Sequence, residues 1–141
     1  MNVILDTNIY DLLREDNITR KLISTSILSN KLTIIMPRSV SEELFKSPFK
    51  RIPNYFPIKH VGNTVGNVNM AVCDSIGSGN TYKEHKGNSK NINDAYISDA
   101  ACYYANWLIS EDKRLLKRNS LLCERVVSMK YNRFIKKLKE L

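Results

Sequence analysis

Asn2-Val3-Ile4-Leu5-Asp6-Thr7-Asn8 is the stretch whose reading decides the fold: a short β-branched, apolar run stops at three polar residues, as a buried strand does where it gives way to a turn. Ile9, Leu12 and Leu13 then continue at helical spacing, so a strand is followed directly by a helix. The pattern returns along the chain. Leu22, Ile23, Ile27 and Leu28 predict a second helix, Asn30 a left-handed residue closing it, and Thr33-Ile34-Ile35-Met36 a second strand ended by Pro37. Further on, Ile97, Ala101, Tyr104 and Ala105 form a small-residue helical stripe that begins at Asp94 and precedes the strand Trp107-Leu108-Ile109, which stops at Ser110-Glu111-Asp112. Leu115 and Leu116, a last strand near Val126-Val127, and a basic helix carrying Phe134, Ile135 and Leu138 complete the series. Strands alternating with helices imply an α/β fold, with a central, mostly parallel sheet of about four to five strands and helices on both faces.

A chain of 141 residues with 43% hydrophobic side chains is the size of one domain and can bury a core, so residues 1–141 are expected to fold as a single unit. The formal net charge of +8 favours a polyanionic partner, but it becomes informative only beside a site. Cys73, Cys102 and Cys123 are odd in number and contain no Cys-x-x-Cys pair, which reads as buried, reduced thiols. No stretch approaches the ~20 apolar residues that span a bilayer, and Asp6 interrupts the place where a signal peptide keeps its apolar run. A cytoplasmic protein without a membrane partner is expected.

Between the two halves, Ser39-Val40-Ser41-Glu42 fits a capping box, which predicts a helix through Glu43, Leu44 and Phe45. From Lys59 to Asn93 the chain is rich in Gly, Asn, Ser and Lys; Val68–Ile76 reads as one more helix and Gly77–Asn93 as a polar loop.

The acids fall at informative places. In open α/β sheets, sites form at the carboxyl ends of strands, and Asp6 and Asp112 both lie just past apolar strands. An ionised Asp beside buried strand ends costs several kcal/mol unless something compensates it, and a bound cation does so most effectively. The capping box accounts for Glu42, leaving Glu43, three residues beyond Val40, to face the sheet. Asp94 heads the apolar stripe, whereas ~100° per residue turns Asp99 away from it. The set is therefore Asp6, Glu43, Asp94 and Asp112, hard oxygen donors suited to Mg²⁺ or Mn²⁺, while His60 and His85 stand alone and disfavour zinc. Asn8 reads equally well as the cap of the first helix or as a support for a carboxylate or metal-bound water; Thr7 and Ser110 are weaker supports of the same kind.

These residues together resemble the PIN-domain nucleases, a family that includes the ribonuclease toxins of bacterial toxin–antitoxin pairs. The matching pieces are Val3-Ile4-Leu5-Asp6-Thr7-Asn8, Met36-Pro37 through Glu42-Glu43-Leu44, Asn93-Asp94-Ala95-Tyr96-Ile97, Leu108-Ile109-Ser110-Glu111-Asp112 and Asn132-Arg133-Phe134, in the family's order and spacing. The resemblance covers most of the chain outside roughly residues 50–90 and implies a metal-dependent endoribonuclease. In that reading Asp6, Asp94 and Asp112 hold one metal and Glu43 holds a second or orients a water. Asn8 and Ser110 support them. Many members carry a further acid two residues after the position of Asp112, where this chain has Arg114. Lys113, Arg114, Lys117 and Arg118, with Lys83, Lys86 and Lys90, are the basic residues nearest the acids in sequence, and some of them are expected to supply RNA phosphate contacts. The resemblance further implies a cognate antitoxin partner, and a homodimer, for which the apolar stretch Ile52–Phe56 is the interface unless it is spent on the core.

Three rivals remain on the residues alone. The first is a catalytically silent module that binds RNA or a protein through the same fold. A phosphatase of the Asp-x-Asp type would want an acid where Asn8 stands, because an amide cannot protonate a leaving group. A structure-directed DNA nuclease usually needs a longer chain to clamp a duplex.

Overall fold

β1 (Asn2–Leu5), β2 (Thr33–Pro37), β3 (Lys59–Val61), β4 (Trp107–Ile109) and β5 (Val127–Met129) form one sheet in the order β3-β2-β1-β4-β5, and every pairing is parallel. The structure is a computed structural model that describes residues 1–47, 50–62 and 92–141. Six helices flank the sheet among these residues: α1 (Thr7–Glu15), α2 (Asn17–Leu28), α3 (Arg38–Lys46), α4 (Ile92–Tyr104), α5 (Lys113–Leu122) and α6 (Tyr131–Glu140). The α/β class with a parallel sheet is the one the alternation of strands and helices predicts.

Successive strand side chains point to opposite faces, so the complete burial of Val3, Ile4 and Leu5 means that β1 is covered on both sides. Ile4 lies between Ile35 of β2 and Leu108 of β4, and Leu5 pairs with Ile109. This register brings the ends of β1 and β4 level. Strand order reverses between them, since β1 leads to β2 on one side and β4 leads to β5 on the other. The crevice at such a switch point is where open α/β sheets place their ligands.

Packing beyond the sheet runs through α6, where Phe134 is fully buried and its ring meets Trp107 of β4 edge-on, with centroids 6.3 Å apart. Asp16 caps α2 by accepting from Thr19 and also accepts from the Tyr131 hydroxyl at 2.9 Å, tying α2 to α6. On the other side, fully buried Asn119 of α5 donates to the Ser98 hydroxyl of α4 at 2.8 Å and accepts from Ser128 of β5 at 2.9 Å.

Several local expectations are corrected. β3 lies where the sequence shows only the start of a stretch rich in Gly, Asn, Ser and Lys and predicts no strand; its Lys59 and His60 are exposed, and it forms through backbone pairing with β2 at the sheet edge rather than through an apolar pattern. The last strand, expected near Val126-Val127, runs from Val127 to Met129, and Val126 just before it is buried in the core. The capping box does not form. Pro37 takes the cap position with φ −66° and ψ 156°, so α3 starts at Arg38 and Ser39 lies inside the helix, its hydroxyl buried without a hydrogen-bond partner. α4 begins at Ile92 and is buried around its whole circumference from Ala95 to Ala101, so Asp99 is 2% exposed rather than turned outward. Asn30, by contrast, has the expected left-handed backbone, with φ 57°.

The thiols differ too. Cys102 and Cys123, 21 residues apart, are joined as a disulfide with Cα atoms 5.9 Å apart, because the ends of α4 and α5 meet, which no spacing in the sequence announces. Within Ile52–Phe56, Phe56 is buried, Ile52 and Tyr55 pack on the core, and the Arg20 guanidinium covers the Tyr55 ring at 4.6 Å, so this stretch is spent internally and does not offer an apolar interface. The helix read at Val68–Ile76, most of the Gly77–Asn93 loop, Cys73, His85, Lys83, Lys86 and Lys90 lie outside the described residues. No helix among the described residues is long and apolar enough to cross a membrane.

Replacing Asn119 with Ala leaves the Ser98 and Ser128 hydroxyls without their buried partner and opens a small void. The expected cost is about 2–3 kcal/mol of folding stability, read as a lower urea midpoint at unchanged slope.

Candidate functional site

Asp6 leaves β1 and Ser110 leaves β4 side by side, since the Asp6 amide donates to the Ile109 carbonyl at 2.9 Å. The first turn after each strand then fixes the side chains. Asp6 caps α1, accepting from the Thr7 amide at 2.7 Å; Asp112 caps α5, accepting from the amides of Arg114 and Leu115 at 2.9 and 3.3 Å. Asp94 lies in the first turn of α4. Three helix N-termini thus carry the three aspartates, and the partial positive charge there favours anions.

The supporting contacts are specific. Ser110, fully buried, donates its hydroxyl to Asp6 Oδ2 at 2.6 Å and accepts from the Asp112 amide at 3.0 Å, linking the two acids through one side chain. Asn8 is inside α1 rather than its cap. Its amide donates to Asp6 Oδ2 at 3.2 Å and to Ser110 at 3.4 Å, while its carbonyl accepts from the Glu111 amide at 3.3 Å. Glu111 itself accepts from the Tyr131 amide at 3.0 Å and so serves the start of α6.

Glu43 reaches the same place from α3, accepting the Thr7 hydroxyl at 2.5 Å. The capping argument that selected it fails with the capping box, yet its other basis holds: Val40 and Leu44 are buried, Glu43 is half-buried on their side, and Glu42 is exposed. Thr7, ranked below Asn8 from sequence, is the link that holds Glu43 against the β1 turn. The signal for it was its place beside Asp6, at the first residue of the helix.

The electrostatics follow from crowding. Asp6 is 5% exposed, and burial raises its carboxyl above the usual range; hydrogen bonds from Ser110 and Thr7 oppose this, and the charges of Glu43 and Asp112 add to it. Asp94 is pushed up to about 7, first by burial, then by the charges of Asp6, Asp112 and Glu43 and by a hydrogen bond shared with Asp112. Among the described residues none of the four acids is ion-paired with a lysine or arginine. Nor, among the described residues, are any three His, Cys, Asp or Glu side chains placed so that they could hold a metal ion as they stand. The donor chemistry nevertheless fits a hard divalent cation: four carboxylates with no lysine or arginine paired to them among the described residues, two of them, Asp6 and Asp94, holding protons more tightly than usual first because they are buried and then because of neighbouring carboxylate charge.

Of the basic residues expected to contact RNA, the four within the described residues belong to α5, past Asp112. Lys113, Arg114 and Lys117 are exposed and Arg118 is half-buried, and both arginines are already engaged by other groups. His60 sits on β3, remote in sheet order from the switch point. Comparison with family models, with curated proteins and with solved structures returns no match.

Because the folded-state pKa of Asp94 is raised above its ordinary value of 3.8, the folded protein binds the extra proton and loses stability as pH climbs from about 4 through about 7. Asp94→Asn removes that penalty. In EDTA at pH 8 the variant should gain about 1 kcal/mol, allowing for solvent screening of a half-buried group, or roughly 3 °C in Tm, and the gain should vanish at pH 4. Equal melting temperatures at both pH values would remove the electrostatic account of the site.

Proposed function

We propose that this protein is a PIN-like, Mg²⁺- or Mn²⁺-dependent endoribonuclease that hydrolyses RNA phosphodiester bonds at the carboxylate cluster. The observation that carries the reading is the gathering of Asp6, Glu43, Asp94 and Asp112 near the sheet's switch point with no lysine or arginine ion-paired to them among the described residues. Asp6, Asp94 and Asp112 would hold the metal, with Glu43 holding a second or orienting a water. A metal bound there would lower the pKa of its water, supply hydroxide and neutralise charge on the phosphorane oxygens.

The chain's own residues account for the rest. Ser110 and Asn8 set the orientation of Asp6, and Thr7 sets that of Glu43, so the donors are held before substrate arrives. No side-chain nucleophile is required. The likeness in sequence to ribonuclease toxins extends the reading to a toxin restrained by a cognate antitoxin. A second reading, a catalytically silent RNA- or protein-binding module, is favoured by Arg114 standing where many PIN-domain nucleases carry another acid.

Labelled total RNA incubated with the protein in Mn²⁺, Mg²⁺ or EDTA should be cut only with metal, and at least about 100-fold more slowly by folded Asp6→Asn and Asp94→Asn variants. Cleavage that survives Asp94→Asn would refute the assignment. Retained RNA binding without cutting in any metal would select the silent module.

A further inference from the structure

Beside the acid cluster, α5 and the first turns of α6 enclose a groove of about 550 Å³ whose floor is Ser128 and Met129 at the end of β5 and whose far rim carries Lys130, Arg133 and Lys136. Lys130 precedes α6 as its N-cap, and Arg133 and Lys136, three residues apart, follow on one side of its first turns, so the three cations line the same groove. All three are exposed, and none is engaged by a carboxylate among the described residues; the ion pair on this helix, Lys137 with Glu140 at 2.9 Å, lies outside the groove.

The groove is joined to the acids by two hydrogen bonds. Its α5 wall, Leu116, donates its amide to the Asp112 carbonyl at 3.1 Å, so it stands one helical turn beyond that acid. Its floor is reached through the Ser110 amide, which donates to the Met129 carbonyl at 3.1 Å and places the end of β5 one strand away from Ser110. The rim does not drift, because Tyr131 and Phe134 are buried beneath it and Glu111 accepts the Tyr131 amide.

We propose that this groove binds the phosphates of single-stranded RNA on one side of the carboxylate cluster, with Lys130, Arg133 and Lys136 as the contacts; the inference rests on the ribonuclease reading above. Four carboxylates repel a polyanion except where a bound cation intervenes, so a strand delivered to them needs compensating charge immediately alongside. The groove provides it within one strand spacing and one helical turn. Asn132, exposed on the same rim, adds an amide able to meet sugar hydroxyls or base edges, contacts that an unpaired strand leaves open.

The test is fluorescence anisotropy of a labelled single-stranded RNA with the full chain in EDTA, across a salt series, for the wild type, the triple variant Lys130→Gln, Arg133→Gln, Lys136→Gln, and Lys139→Gln as a control on the same helix. Loss of three phosphate contacts should weaken binding at least about 10-fold at low salt and flatten the slope of log K against log salt by about 2, while the control stays within twofold. An unchanged slope and affinity in the triple variant would overturn the groove while leaving metal-dependent cleavage to speak for the nuclease. Groove-dependent binding by a wild type that never cuts would do the reverse. Failure of the wild type to bind RNA, or groove-dependent capture of an acidic peptide in place of RNA, would also overturn it.

Discussion

Holding Asp6 in a nearly dry crevice beside three further carboxylates is the constraint on which the surrounding structure depends. The cost of desolvating one carboxylate is several kcal/mol, and like charges nearby increase it. What offsets it is local and identifiable: the Ser110 hydroxyl, the Asn8 amide and the Thr7 amide all donate to Asp6, and the N-terminus of α1 contributes its dipole. Each donor comes from the turns after β1 and β4. The register that levels Leu5 with Ile109 is therefore a condition of the site as well as of the sheet.

That dependence explains why polar residues are tolerated at 0% exposure here. Ser110 would be an expensive choice at the end of a buried strand if it did not serve two acids at once, as donor to Asp6 and acceptor for the Asp112 amide. Asn119 fills the same logic on the other side of α5, joining Ser98 and Ser128. α5 is thus fixed at its start by the acid turn and in its middle by a satisfied buried amide, which gives a short, highly charged helix a defined position.

What could be read from the sequence, and what could not, divides along the same physical line. β1 and β4 were legible because burial on both faces leaves continuous apolar runs, and Asp6 and Asp112 were legible because they interrupt such runs abruptly. β3 was not, since an edge strand held by backbone pairing needs no apolar pattern. The capping box failed because Pro37 took the cap itself and moved the helix start by one residue. Asp99 was misread because a helix buried on all sides has no outward face for a period to reveal. Glu43 emerged from a mixture of the two, with one argument that the structure removes and one, its spacing from Val40, that it keeps. The meeting of Cys102 with Cys123 is purely tertiary and left no trace in spacing.

The charge of the molecule acquires meaning only through this geometry. A surplus of basic residues is a property of many proteins, but here acids and bases are sorted onto neighbouring elements: carboxylates converge on the β1–β4 crevice, and Lys130, Arg133 and Lys136 line up past β5, with α5 as the wall common to both. Sorting of this kind opposes folding stability, because like charges are concentrated, and among the described residues neither these four acids nor these three cations are ion-paired. A sequence selected for stability alone would interleave them. Their separation across one strand spacing is the feature that a stability argument leaves without a cause and that an extended anionic ligand, anchored by a cation at one end and by lysine and arginine along its flank, would supply.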